Sequence, residues 1–148
     1  MQEIRLGTIG SSFIVHNILD AVAKVERIRC VAVYSRTQEK GQPLADKYGV
    51  EKVYTDMDAF LADEEINCVY VASPNLLHYE QAKKSLLAGK HVLLEKPFCS
   101  KLVQAKELVD IAKEKHLFLM EAVPTTYLPN YSTLKESISK IGRIKLVQ

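Results

Sequence analysis

The sequence has 148 residues, of which 47% are hydrophobic and 26% are charged, and its formal net charge is +2. This length suits one well-buried domain rather than two, and the near balance of charge gives no reason to expect a nucleic acid or an anionic membrane as partner. No apolar run approaches the roughly 20 residues of a membrane-spanning helix, the three widely spaced cysteines favour neither a disulfide framework nor a metal site, and the N-terminus lacks a signal-peptide pattern, so we expect a cytoplasmic protein.

Short apolar segments alternate with amphipathic segments along the first half of the chain, which is typical of alternating strands and helices. Gly41 and Pro43 are expected to make the second helix irregular, Gly49 to close it, and Asp56 to cap the third helix. In order, the predicted elements are strand EIRLGTI, helix FIVHNILDAVAKV, strand IRCVAVYS, helix QEKGQPLADKYG, strand EKVYT and helix MDAFLAD.

The second half repeats the same alternation, and its strands are apolar on both faces. The predicted elements are strand INCVYVAS, helix LLHYEQAKKSLLAG, strand KHVLLEK, helix LVQAKELVDIAKEKH and strand LFLMEA. Strands of this kind, separated by helices, indicate a parallel sheet that helices cover on both sides. We therefore predict an α/β fold, a doubly wound parallel sheet of the Rossmann type.

The last 26 residues have a different pattern, with two prolines, one helical segment and a final strand-like segment, GRIKLVQ. We interpret residues 1–122 as a dinucleotide-binding domain. Residues 123–148 are then a connecting helix and the first strand of a second, truncated α/β domain that would hold the substrate.

Ligands of open α/β sheets bind beyond the carboxyl ends of the strands, so the residues at those ends are the candidates for chemistry. The first group is the turn GTIGSSFI between the first strand and the first helix. Small residues here let the backbone approach a pyrophosphate, which the helix N-terminus attracts. The turn does not meet the full G-x-G-x-x-G pattern, since Ser12 and Val15 stand at the second and third positions. The alternative is a plain strand-to-helix turn with serine caps.

The second group, Ser35, Arg36 and Lys40, follows the second strand. An acidic residue at this place indicates NAD, whereas an arginine suits the 2′-phosphate of NADP. The serine hydroxyl and the guanidinium can donate to a phosphate, and Lys40 adds charge one helical turn later. The alternative is a solvated, basic helix start.

The third group lies in ASPNLLH, after the fourth strand. Ser73, Pro74 and Asn75 form a tight turn, and His78 stands in the first turn of the following helix. These residues are candidates for the wall of a cofactor groove. The alternative is that Asn75 caps the helix and that His78 packs in the core.

The fourth group is Glu95, Lys96 and Pro97 after the strand HVLL, with Glu121 at the end of the next strand. Lys96 is a compact cation that can polarise a hydroxyl or a carbonyl, and Glu95 can hold its ammonium in place. Pro97 fixes the turn, and its peptide bond can be cis. The alternative is an ion pair with a structural role alone.

Taken together, these segments resemble the N-terminal domain of the Gfo/Idh/MocA family of nicotinamide-dependent oxidoreductases. The most specific part of the resemblance is SPNLLH…AGKHVLLEKP, and it is accompanied by LGTIGSSFI, VAVYSRTQEK, MEAVPTTYLP and IGRIKLV. The resemblance implies NADP or NAD as cofactor, with NADP favoured, and hydride transfer to or from a sugar, polyol or related small carbonyl or hydroxyl compound. It also implies a homo-oligomer that forms through the second domain.

The resemblance also implies roles for matching residues. Lys96 would be the catalytic residue near the reacting carbon, and it would belong to the cofactor site as well. The other cofactor-binding residues would be Gly10, Ser11, Ser12, Phe13, Ile14, Ser35, Arg36, Lys40, Ser73, Pro74, Asn75, His78, Glu95 and Glu121. Ser12 departs from the usual glycine, which weakens the expected affinity rather than the binding itself. A non-catalytic module that binds or senses a dinucleotide is the alternative function.

Overall fold

The computed structural model describes residues 3–143, in which six strands alternate with helices. The strands are β1 (Ile4–Ile9), β2 (Ile28–Tyr34), β3 (Lys52–Tyr54), β4 (Cys68–Val71), β5 (His91–Glu95) and β6 (Leu119–Ala122). The α-helices are α1 (Phe13–Val22), α2 (Gln38–Tyr48), α3 (Met57–Ala62), α4 (His78–Leu87), α5 (Leu102–Glu114) and α6 (Pro129–Ser137). Short 3₁₀ helices cover Asn75–Leu77, Pro124–Tyr127 and Ile138–Ile141.

The six strands form one parallel sheet in the order β3-β2-β1-β4-β5-β6. β1 pairs with β2 on one side and with β4 on the other, so the chain changes its direction of winding at β1. Ligands of such sheets bind at this switch point, beyond the carboxyl ends of the strands. The predicted doubly wound Rossmann sheet is confirmed.

Two hydrophobic cores cover the two faces of the sheet, as strands apolar on both faces require. One core contains Val15 and Leu19 of α1 together with Leu44 and Ala45 of α2. The core on the other face contains residues of α3, α4 and α5, which are Phe60, Leu61, Ala82, Leu86, Leu108 and Ala112. Because each face is sealed by helices, the open surface of the sheet is at its strand ends.

Helix α2 is continuous through Gly41 and Pro43, so the predicted irregularity is wrong. Gly41 is buried, and a Cβ atom there would lie 2.8 Å from Cγ1 of Val53 on β3. The glycine therefore lets α2 approach the sheet closely, and the buried Leu44 that follows Pro43 holds the helix in place. The other two expectations are confirmed, since α2 closes at Gly49 and Oδ1 of Asp56 accepts a hydrogen bond from the N–H of Ala59 at 2.7 Å.

The tail contains α6, which buries none of its residues. The final strand was predicted in GRIKLVQ, residues 142–148, of which residues 144–148 lie outside the described residues. The division of the chain at residues 122 and 123 remains a prediction. Within residues 3–143, no helix is both long enough and apolar enough to cross a membrane.

Candidate active site

A cavity of about 270 Å³ lies at the switch point, where β1, β2 and β4 end. Its lining comes from the turn after β1, the end of β2 and the segment that follows β4. The lining residues are Ile9, Gly10, Ser11, Ser12, Tyr34, Ser35, Arg36, Lys40, Ala72, Ser73, Pro74, Leu77 and Gln81. Eight of the predicted site residues are in this set, which brings three of the four predicted groups together.

The turn after β1 is held tightly between the neighbouring strand ends. Gly10 donates its N–H to the carbonyl of Tyr34 at 3.1 Å, and the N–H of Ala72 donates to the carbonyl of Ile9 at 2.9 Å. Gly10 has a φ of 114°, and a Cβ atom there would lie 2.6 Å from the carbonyl oxygen of Ala72. Only glycine fits this place without displacing the end of β4.

Helix α1 starts directly after this turn, and Ser12 is its N-cap residue, with no hydrogen bond from its side chain. The side chain of Phe13 is exposed, and that of Ile14 packs against the core of α1 and α2, so neither lines the cavity. The first N–H groups of a helix have no partner within it. What Phe13 and Ile14 offer a ligand is therefore their backbone N–H groups.

The end of β2 gives the cavity a positive charge. Ser35 is buried and its N–H donates to the carbonyl of Tyr54 at 3.0 Å, whereas Arg36 and Lys40 are exposed. The lining contains these two cations and no acidic side chain. A pocket of this charge at the end of the second strand suits a phosphate better than a ribose diol.

The segment after β4 forms a further part of the wall with Ser73 and Pro74. The hydroxyl oxygen of Ser73 is buried and makes no hydrogen bond within the described part of the chain. Asn75 is exposed, begins the 3₁₀ helix Asn75–Leu77 and does not line the cavity. The predicted helix therefore starts as a 3₁₀ turn, and α4 proper begins at His78.

His78 is fully buried and joins two loops. One ring nitrogen, Nε2, lies 2.9 Å from the carbonyl oxygen of Ser73, and the other, Nδ1, lies 2.9 Å from the carbonyl oxygen of Pro97. The ring does not line the cavity. Its position supports a packing role, the alternative considered from the sequence, rather than direct contact with a cofactor.

The fourth predicted group lies beside the cavity, at the ends of β5 and β6. The carboxylate of Glu95 is buried and accepts a hydrogen bond of 2.6 Å from the hydroxyl of Tyr70 on β4. Burial, and then the neighbouring Glu95, raise the pKa of Tyr70 above its ordinary value, so its hydroxyl keeps the proton that it donates.

The ammonium of Lys96 is exposed and forms no ion pair with Glu95 within residues 3–143, so the expected ion pair is wrong. The second oxygen of Glu95 accepts instead from the backbone N–H of Lys96 at 3.2 Å. The peptide bond between Lys96 and Pro97 is cis, as the sequence allowed. The carboxylate of Glu121 accepts from the N–H of Phe98 at 2.9 Å and so fixes the loop that carries Lys96.

The sequence analysis missed Ile9, Tyr34, Ala72, Leu77 and Gln81 as lining residues. Leu77 and Gln81 are one helical turn apart, which places both on the same side of α4. Nothing in the amphipathic pattern of α4 distinguishes these two residues from ordinary surface positions. Tyr70, the hydrogen-bond partner of Glu95, was also missed, because a tyrosine in an apolar strand is typical of a core residue.

The residues of the cavity fit a phosphorylated dinucleotide. Gly10 keeps the turn free of a Cβ atom, α1 presents its N-terminus, and two cations stand at the end of β2. The buried, unpartnered hydroxyl of Ser73 adds a polar group that a ligand can satisfy. Among residues 3–143, no three His, Cys, Asp or Glu side chains come together as metal ligands.

The comparison with protein families matches residues 4–123 to the oxidoreductase family with an NAD-binding Rossmann fold. The chain is 39% identical over 142 residues to scyllo-inositol 2-dehydrogenase (NADP(+)) of Bacillus subtilis, and this match covers 96% of the chain and 43% of that protein. It is 43% identical over 95 residues to D-xylose 1-dehydrogenase (NADP(+)) of Hypocrea jecorina, which covers 63% of the chain and 24% of that protein.

Among solved structures, a 3-ketoreductase from Actinomadura kijaniata in complex with NADP and TDP-benzene superposes with a TM-score of 0.89. It is 29% identical, and the match covers 94% of the chain and 43% of that protein. The chain spans less than half the length of these relatives.

Proposed function

Because the chain belongs to the Gfo/Idh/MocA oxidoreductase family, and carries its NAD-binding Rossmann domain, we propose that it is the cofactor-binding part of an NADP-preferring dehydrogenase or reductase. Its substrates are sugars, polyols or related small carbonyl and hydroxyl compounds. The relatives support this class, since two of them are named for an inositol and for xylose. A cytoplasmic location and a homo-oligomer remain predictions from the sequence.

The preference for NADP is inferred from the positive charge at the end of β2. Arg36 and Lys40 line the cavity beside the buried Ser35, and no carboxylate lines it. The guanidinium fork binds the oxygens of a 2′-phosphate, and the ammonium of Lys40 adds a second cation. A carboxylate, which would bind the ribose hydroxyls of NAD, is missing from this lining.

The pyrophosphate is held at the turn after β1. Gly10 lets the backbone come close, and Ser11 and Ser12 add hydroxyl groups to the lining. The N-terminus of α1 contributes N–H donors and a partial positive charge. Ser12 takes the place of the usual glycine, and its exposed side chain lies at the mouth of the turn rather than in the core.

Hydride transfer is the chemistry that the nicotinamide supplies when the cofactor is bound. Lys96 stands on the rim beside the cavity, where its ammonium donates to a substrate oxygen and stabilises the negative charge that develops there. Glu95 and Glu121 contribute by fixing the loop of Lys96 through backbone N–H groups. Lys96 is thus the catalytic residue of the proposal, and the two acids position it.

A non-catalytic module that binds or senses a dinucleotide is the second candidate. The exposed ammonium of Lys96 beside the cavity favours the enzyme, because a sensor has no need of a cation at that rim.

Titration of the chain with NADPH and with NADH, by calorimetry or nicotinamide fluorescence, tests the proposal. We expect both to bind and NADPH to bind at least tenfold more tightly, because its additional phosphate meets Arg36 and Lys40. Equal affinity for NADPH and NADH would contradict the proposal that Arg36 and Lys40 bind the 2′-phosphate. Failure of both to bind would contradict the proposed function itself.

Replacing Arg36 with aspartate is expected to weaken the binding of NADPH about 30-fold, which corresponds to about 2 kcal/mol for the lost bond to a charged group. Binding of NADH is expected to hold or improve, because a carboxylate at this place accepts from ribose hydroxyls. The measurement is the ratio of the two dissociation constants.

Arg27→Asp is the matched control for this substitution. Arg27 is exposed and precedes β2, at the opposite end of that strand, and its replacement changes the net charge by the same amount. If the control shifts the cofactor ratio as far as Arg36→Asp does, the effect is one of overall charge and Arg36 does not contact the phosphate.

A further inference from the structure

Two polar atoms in the lining of the cavity are buried without a partner. They are the hydroxyl oxygen of Ser73 and Oε1 of Gln81, neither of which makes a hydrogen bond within residues 3–143. A buried acceptor without a donor lowers stability, and native proteins seldom keep one without a purpose. Both residues line the same cavity, so a ligand bound there is the nearest source of a partner for these atoms.

Gln81 lies in the second turn of α4, four residues after Leu77. Both residues line the cavity, so this side of α4 presents one aliphatic and one carboxamide side chain to it. The end of β2 lines the same cavity with Tyr34, whose ring packs against Phe60, and with Arg36. The guanidinium plane of an arginine and an aliphatic side chain around one space suit a flat heterocycle, which stacks on such surfaces.

Gln81 is the single carboxamide in the lining. A carboxamide offers an acceptor and a donor side by side. Adenine presents the complementary pair, an exocyclic amino donor beside a ring nitrogen that accepts, and glutamine is a common partner for this edge. A base with an oxygen in place of the amino group presents two acceptors along this edge, because the ring nitrogen beside it accepts in both bases.

We propose that Gln81 selects the adenine ring of the cofactor. Its buried Oε1 accepts from the exocyclic amino group, and its Nε2 donates to the neighbouring ring nitrogen. This inference rests on the proposed function, since it concerns the adenosine end of the same dinucleotide. It adds a residue that recognises the base, where Arg36 and Lys40 recognise the phosphate.

The test compares NADPH with its hypoxanthine analogue, in which an oxygen replaces the amino group of adenine. We expect the wild-type chain to bind the analogue about tenfold more weakly, because Oε1 then faces another acceptor. A rotated carboxamide would not restore both bonds, because the neighbouring ring nitrogen accepts in both bases and rotation would bring Oε1 against it. Tenfold corresponds to the loss of about one hydrogen bond.

Gln81→Leu is expected to bind NADPH about tenfold more weakly than wild type and to lose the discrimination between the two bases. Its melting temperature without ligand is expected to be equal or higher, because the substitution removes a buried oxygen that has no partner. Gln104→Leu on α5 is the matched control, since that glutamine does not line the cavity. It should leave both affinities unchanged.

Equal binding of NADPH and the analogue by the wild-type chain overturns the assignment of Gln81 while leaving the proposed function intact. The assignment of Gln81 is also overturned if Gln81→Leu still binds NADPH more tightly than the analogue, because another group then distinguishes the two bases. Failure of the wild-type chain to bind NADPH at all contradicts the proposed function and this inference together. The comparison of NADPH with the analogue uses the wild-type chain, so it tests the assignment of Gln81 even if Gln81→Leu does not fold.

Discussion

Replacing Gly10 with alanine is expected to weaken NADPH binding about 100-fold and to lower the free energy of unfolding by about 2–3 kcal/mol. The φ of 114° is unfavourable for alanine, and the new Cβ atom would lie 2.6 Å from the carbonyl oxygen of Ala72. The turn must then move away from the end of β4. Because Gly10, Ala72 and Ser73 all line the cavity, this movement deforms the place where the pyrophosphate would bind.

Gly89→Ala is the control that separates the effect of backbone strain from the effect of the steric clash with Ala72. Gly89 also has a positive φ, 77°, but a Cβ atom there would have no atom within 4 Å. It should cost stability through strain alone and leave NADPH affinity unchanged. Denaturant unfolding and cofactor titration of both variants are the measurements. The role assigned to the turn would be wrong if Gly10→Ala bound NADPH as tightly as Gly89→Ala.

Replacing Lys96 with alanine is expected to lower kcat by about 10²–10⁴-fold while changing NADPH affinity by less than about twofold. The large effect follows because the ammonium is the cation proposed to stabilise the developing charge on the substrate oxygen. The effect on NADPH affinity is expected to be small because Lys96 does not line the cavity.

The activity is best measured in a chimaera in which this chain replaces the matching segment of the Bacillus relative, of which it covers 43%. Lys101→Ala is the control, since Lys101 is an exposed lysine at the start of α5, after the same loop. An unchanged kcat in Lys96→Ala would remove Lys96 from the mechanism. An inactive chimaera that still binds NADPH would favour the non-catalytic module.

The fold was predictable from the sequence because short strands and helices alternate regularly and some of the helices end or begin on local signals. Gly49 closes α2 and Asp56 caps α3, as their residue types indicate. The β-branched, apolar strands identify a sheet buried on both faces. The close contact of Gly41 with Val53, which are distant in sequence, escaped the prediction and turns an apparent helix breaker into a packing residue.

The candidate site was predictable where a residue type follows a strand end, as Arg36 and Ser73 do. It was not predictable where side chains from different elements meet. Nothing local indicates that Tyr70, 25 residues before Glu95, takes the carboxylate that Lys96 was expected to pair with. Gln81 escaped for the same reason, since a glutamine on an amphipathic helix normally faces water.

The buried ring of His78 connects the two ends of the site mechanically. Its two ring nitrogens lie 2.9 Å from the carbonyl oxygen of Ser73, which lines the cavity, and 2.9 Å from the carbonyl oxygen of Pro97, next to Lys96. A shift of the Ser73 loop must either lengthen this 2.9 Å contact or move the imidazole, and with it the Pro97 loop, along. The position of the Ser73 loop and that of the loop that carries Lys96 are therefore linked through one side chain.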